Sequence, residues 1–248
     1  MNNFFLSLNK KQKIILAGVF AFLIIGGTFL LFRDRSGNIE EEESSLPEIK
    51  ALTIDQLPVV NLTAKNNGRE LVLAIETSKN FANFEKIEYE LIYYLEDGLS
   101  RGAMGEIELI NGKGEKDILL GTCSRDICRY DEGVTGGEVI ISLVKENQLH
   151  SFETKFAFLT SESAYQDQDV RINAQKGTLI VLKGGGLPAM PDQEILSGPY
   201  VITAETGSGT IDFELTNEAV LLFWNQEAWE EVEEYENLPL GTYLLIVS

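Results

Sequence analysis

Apolar positions run unbroken near the start of the chain and then alternate with polar ones for most of the remainder. From Ile14 to Phe32 no charged residue interrupts the run, and Thr28 is its polar exception. At about 1.5 Å rise per residue, a helix over this run covers roughly 28 Å, close to the hydrocarbon thickness of a bilayer. Residues 13–32 therefore read as a transmembrane anchor behind a short cytoplasmic N-terminus, 1–12. A cleaved signal peptide has a shorter apolar region and a small-residue cleavage site, whereas Leu30, Leu31 and Phe32 lead straight into Arg33. No cysteine stands near the end of the segment, which argues against a lipoprotein. Lys10, Lys11 and Lys13 precede the helix, and Arg33 and Arg35 follow it, a bias that places the N-terminus inside.

The pattern then lapses over an acidic spacer, 33–56, where Glu40 to Glu43 lead into Ser44, Ser45 and Pro47. Like charges and low apolar content favour an extended stalk. From Leu57 the apolar positions return with a period of two. Leu71, Leu73 and Ile75 share one parity, as do Ile87, Tyr89, Leu91, Tyr93 and Leu95. Asn66-Asn67-Gly68, Asp97-Gly98, Asn111-Gly112 and Gly136-Gly137 read as turns between strands. About seven strands to Leu159, with no helical period, predict an antiparallel sandwich of immunoglobulin or fibronectin type.

Polar residues Thr160 to Gln168 end the last long strand and predict a linker. Beyond it, Val170, Ile172 and Ala174 alternate, Thr178 to Leu182 is an apolar run, and Gly184-Gly185-Gly186 with Pro188 reads as a turn. Tyr200 to Ala204, Thr210 to Leu215, Ala219 to Trp224 and Gly241 to Val247 supply further strands. The expected fold class is an all-β ectodomain of two tandem antiparallel immunoglobulin-like β-sandwiches, 57–159 and 169–248, joined at 160–168, behind one N-terminal transmembrane helix.

The closing stretch, LLFWNQEAWEEV and then LPLGTYLLIV, reads as a hairpin with Asn225 to Ala228 at its tip followed by a final strand. It resembles the last strands of bacterial extracytoplasmic immunoglobulin-like β-sandwich modules, in which an aromatic-ended strand, a short polar turn, a Trp and a G-T-Y-x-L strand recur. That resemblance covers only these last residues, implies a surface or envelope module, and brings no catalytic residues.

Charge narrows the partners. The chain holds 39 acidic and 20 basic side chains, and residues 1–35 take five of the basic and one of the acidic, leaving a net charge of −23 beyond them. Such a body is a poor partner for nucleic acid or anionic lipid headgroups. Its membrane contact is expected through the helix.

Candidate chemistry is sparse. Cys123 and Cys128 in G-T-C-S-R-D-I-C-R-Y are expected to form a disulfide outside the cytoplasm; a reduced buried pair and redox or metal work are the alternatives. His150 shares the parity of Phe152 and Phe156 and reads as a histidine at the rim of a core, with no nucleophile tied to it. Asp167-x-Asp169 and Asp192-x-Glu194 suggest Ca²⁺ ligands but lack the EF-hand register. The triple glycine lacks the phosphate-loop spacing. Trp224 and Trp229 form either the end of a core or an exposed platform for a glycan or peptide. Asn61-Leu62-Thr63 fits a glycosylation sequon. No catalytic, metal or cofactor residues are assigned. The expectation is a single-pass, non-enzymatic envelope protein whose extracytoplasmic body binds a protein partner or serves as a structural subunit. A surface adhesin or carbohydrate-binding module, and a carboxylate-dependent hydrolase, are the alternatives.

Overall fold

The computed structural model describes residues 52–77, 86–125, 127–145 and 148–248. The expected N-terminus 1–12, the anchor 13–32 and the spacer as far as Ala51 lie outside the described residues. Among those described, no helix is long and apolar enough to cross a membrane, and the chain is all strand. The first nine strands are β1 (Val59–Lys65), β2 (Glu70–Glu76), β3 (Lys86–Leu95), β4 (Ser100–Glu108), β5 (Lys113–Leu119), β6 (Gly121–Ser124), β7 (Ile127–Tyr130), β8 (Val134–Lys145) and β9 (Gln148–Leu159). They are followed by β10 (Ala164–Gln166), β11 (Val170–Ala174), β12 (Leu179–Lys183), β13 (Ile195–Ala204), β14 (Ile211–Leu215), β15 (Ala219–Trp224), β16 (Trp229–Glu231) and β17 (Gly241–Val247).

Alternation explains strands such as β1, β2, β3 and β11. In β2, Leu71, Leu73 and Ile75 are buried while Val72 and Ala74 are half-buried on the other face. In β3, Ile87, Leu91 and Tyr93 are buried and Glu88 and Glu90 exposed. One side chain in two then meets a core, as a sheet with one solvated face requires. Turn chemistry fixes the registers: Asn111 and Gly112 both take positive φ (55° and 78°) between Ile110 and Lys113. A two-residue turn of that hand matches the twist of paired strands, and Asn-Gly adopts it at low cost.

The strands form a nine-stranded antiparallel sheet, in the order β16-β15-β17-β13-β12-β9-β8-β3-β4, two three-stranded sheets, β1-β2-β5 and β10-β11-β14, and the hairpin β6-β7. The nine-stranded sheet continues on both sides of the expected linker, because β9 pairs with β12 from Leu159↔Leu179 to Lys155↔Lys183, while β10 within that linker belongs to a three-stranded sheet. Two cores lie against it. In one, Ile180, Leu182 and Val201 join Leu62, Leu73, Ile87, Leu91 and Ile141. In the other, Leu179, Val181, Tyr200 and Ile202 join Val170, Ile172, Phe213 and Tyr243. Neighbours in β12 and β13 thus alternate between the two cores, so these strands are packed on both faces. The apolar run Leu179-Ile180-Val181-Leu182 is what such a strand requires.

Two glycines differ from their expected role. Gly136 and Gly137 lie inside β8, between β3 and β9, rather than in a turn. A Cβ on Gly137 would press into the Ile92 carbonyl, and one on Gly136 into the Phe156 carbonyl. Glycine here allows neighbouring backbones to close in on the strand.

Candidate functional site

Cys123 and Cys128 face each other in the register of β6 and β7 and form a disulfide, with their Cα atoms 4.0 Å apart. The hairpin that it staples is largely exposed, and Ile127 near its tip has 73% of its surface in solvent. Arg125 and Arg129 lie on the same hairpin. Arg69 places its guanidinium 5.1 Å from the centre of the Tyr130 ring, and Arg101 Nε lies 3.3 Å from Asp131 just beyond. Four of the five arginines between residues 36 and 248 therefore gather at this end of a strongly acidic body.

Beside the hairpin base lies a cleft of about 560 Å³, lined by Arg69, Tyr130, Asp131, Phe158, Thr178 and Glu205 among others. Two of its carboxylates, Asp131 and Glu205, are engaged by protein donors. The Tyr93 hydroxyl donates to Asp131 Oδ2 at 2.6 Å, and the Asn67 N–H donates to Glu205 Oε1 at 3.0 Å. Burial, reinforced by the Asp131 carboxylate, pushes the Tyr93 phenol well up, so it serves as a donor rather than a base.

The most connected polar group is Asp167. Its Oδ1 accepts the N–H groups of Asp169 and Val170 at 2.9 and 3.0 Å. Its Oδ2 accepts Lys183 Nζ at 2.6 Å, the Tyr200 hydroxyl at 2.8 Å and the Tyr165 hydroxyl at 3.4 Å. Burial acts to raise its pKa, but the bonds from Lys183, the two backbone N–H groups and Tyr200 prevail and hold it below the ordinary carboxylate range. The Ser197 hydroxyl donates in turn to the Tyr200 oxygen at 2.8 Å. Burial, opposed by Ser197 and reinforced by Asp167, pushes the Tyr200 phenol well up. This set joins the turn before β11 to β12 and β13; it consists of an ionised acid, its counter-ion and protonated phenols. It clamps the expected linker to the sheet, and its lone pairs are directed at protein donors rather than at an ion.

Trp224 and Trp229 are brought together, with ring centroids 5.3 Å apart, as a cross-strand pair of β15 and β16. The tip between them is Asn225 to Ala228, where Asn225 Oδ1 accepts the N–H groups of Glu227 and Ala228. Trp229 donates its indole N–H to the Ala189 carbonyl at 2.7 Å and packs against the cluster of Leu222, Leu244 and Ile246. It pins the β12–β13 loop over the end of the sheet. The triple glycine begins that loop, and its Gly184 and Gly186 N–H groups donate to the carbonyls of Pro199 and Pro58. His150 is buried opposite Leu143, and Asn61 is exposed on β1. Asp192 and Glu194 are exposed, and among the described residues no three His, Cys, Asp or Glu side chains gather as ion ligands.

The Asp167 clamp and the arginine grouping were not visible in the sequence as sites. Arg125 between the two cysteines and Arg129 just after them, in so acidic a chain, were the available signal for the second. The fold and these sites define an all-β body with a disulfide-stapled surface hairpin. No known protein family, characterised protein or solved structure matches the chain.

Proposed function

We propose that the chain is a single-pass membrane-anchored envelope protein whose extracytoplasmic, non-catalytic body acts as a binding or structural subunit of a membrane complex. The observation that carries this reading is the exposed Cys123–Cys128 hairpin. Surface disulfides persist in oxidising compartments and are reduced in the cytosol. A stapled hairpin is also an ordered contact element, since less freedom is lost when a partner docks on it. The apolar run 13–32 supplies the anchor and the acidic stretch 33–51 the reach, since Leu52 already packs against the body. The two packed halves are read as immunoglobulin-like sandwiches fused through β12 and β13. The non-catalytic reading rests on Asp131 and Asp167, whose carboxylates are taken up by internal partners. Trp229 is engaged by Ala189, which favours a protein partner over a glycan platform.

The test is labelling of intact cells with a membrane-impermeant maleimide, before and after a mild impermeant reductant, with crosslinking of the full chain in parallel. The expected result is labelling of Cys123 and Cys128 only after reduction, and reproducible crosslinks from the body to one envelope component. Labelling that requires permeabilised cells would place the body inside and overturn the assignment.

A further inference from the structure

A sheet edge presents a row of backbone N–H and C=O groups that can pair with another chain, and proteins shield such edges by a few recurring means. Most edges of this body are shielded. β10 and β16 have three residues each. The Leu62 carbonyl of β1 accepts the Thr203 hydroxyl at 2.6 Å, so that strand is held against β13. β5 carries Lys113 and Lys116, and Lys113 pairs with Glu76 at 2.8 Å. β14 is flanked by a further stretch, through Ile211↔Leu238 and a bond from the Phe213 N–H to the Tyr235 carbonyl.

Between Ser100 and Gly105, β4 has none of these devices among the described residues. It is the terminal strand of the nine-stranded sheet, nine residues long, with no Pro and no Lys, and it pairs on one side only among the described residues. Its sequence, SRGAMGEIE, is small and flat at Gly102, Ala103 and Gly105. Its one basic residue, Arg101, is directed at Asp131. On its outer face Met104 has 79% of its surface exposed, with Ile140 half-buried two strands away. Beside this apolar spot two exposed carboxylates stand on β3, Glu88 and Glu90, with Glu90 opposite Met104. Two acids on one face of so acidic a body attract a cation laid alongside.

We propose that β4 is a strand-addition site that accepts an extended, basic segment of a protein partner. The proposal rests on the reading of the body as a binding subunit and names where and how it binds. Main-chain pairing along the Ser100–Gly105 part of the edge supplies affinity. Lys or Arg at alternate positions of the segment meets Glu88 and Glu90, while apolar residues on its other face extend the cover over Ala103. A second copy of this chain fits poorly, because edge-to-edge pairing would bring the same acids of both copies together. The acidic spacer of the chain is disfavoured on the same ground. The Arg101–Asp131 contact puts the start of β4 at the base of the stapled hairpin, so a partner on the edge is within reach of it.

The test uses the full chain in detergent and a labelled peptide, Thr-Lys-Val-Lys-Val-Lys-Val-Lys-Thr, followed by anisotropy and by amide exchange. Two control peptides are the same sequence with alternate backbone nitrogens methylated, and the version with Glu for Lys. The expected result is saturable binding of the Lys peptide with slowed exchange confined to residues 100–105. Backbone methylation, Glu for Lys, Met104→Lys and Glu90→Lys are each expected to weaken binding at least tenfold, while both variants keep the melting temperature of the parent. Equal binding of the methylated peptide would reveal electrostatic adsorption only and overturn the proposal. So would protection elsewhere, no binding, or β4 amides already protected in the chain alone. In that last case, a dependence on protein concentration identifies a second copy, and its absence a segment of the same chain. Cell labelling that places the body inside defeats the proposed function without touching the peptide result; external labelling with no peptide binding defeats only the edge.

Discussion

β12 and β4 belong to the same sheet and differ in nearly every respect. β12 has strands on both sides and a core on each face, and Leu179 to Leu182 are all buried. Among the described residues, β4 has a strand on one side, a core under part of one face, and an exposed methionine on the other. Burial is concentrated where the two cores share strands and is thin at the edge. In a protein read as a binding subunit, that is the division expected: the locked middle keeps the shape while the edge accepts another chain.

The largest effects are expected at the shared strand. Leu182→Ala opens space in one core and Val181→Ala in the other, and each should cost about 2–4 kcal/mol. Because β12 serves both cores, each variant should lower a single unfolding transition of the whole body, followed by calorimetry and by fluorescence of Trp224 and Trp229. Two separated transitions would break the comparison by showing that the halves unfold independently.

Next comes the clamp. Asp167→Asn leaves Lys183 without its counter-ion in a partly buried place and should cost about 1–3 kcal/mol. In the folded state the Asp167 carboxyl is held below its ordinary value of 3.8. Between the two values the unfolded chain binds more protons than the folded one, so this contribution is complete above that range and is lost as the pH falls through it. Denaturant titrations from pH 6 down to 2.5 should show a smaller acid loss in Asp167→Asn than in the parent chain.

Smaller effects are expected toward the periphery. Trp229→Phe keeps a ring but removes the bond to Ala189, at a cost of about 1 kcal/mol, and should speed amide exchange in the β12–β13 loop. Replacing Cys123 and Cys128 together by Ser should change global stability by about 1 kcal/mol or less while hairpin amides lose protection, because so exposed a hairpin opens locally. Met104→Lys on the open edge should leave stability within about 0.5 kcal/mol of the parent. A large loss there would show that the edge is part of the core.

The same contrast explains what could be read from the sequence. Strands with one solvated face were legible, since β2, β3 and β11 follow from local alternation and from turn residues such as Asn111-Gly112; β15 and β17, packed on both faces, were legible from their apolar runs. So were the pairing of the two cysteines and the hairpin tip at Asn225 to Ala228. Long-range pairing was not: nothing local tells Leu159 that its partner is Leu179, and the polar stretch at 160–168 reads as a linker although the sheet continues past it. The run Leu179-Ile180-Val181-Leu182 did carry a signal of burial on both faces, but a short apolar run fits several settings. The role of Asp167 had no local signal, because its partners Lys183 and Tyr200 lie 16 and 33 residues away. Gly136-Gly137 carried the composition of a turn while serving close strand packing. The open edge at β4 is a property of the sheet order and has no local signature.

Amide exchange of the purified full chain, resolved along the nine-stranded sheet, tests the comparison most directly. The predicted result is a gradient: β12 amides exchange only through global unfolding, and alternate amides of β4 between Ser100 and Gly105 exchange orders of magnitude faster. If β4 is protected as strongly as β12, the edge is not open; if β12 exchanges well below the global limit, the two halves are not locked through it. Either result would contradict the account.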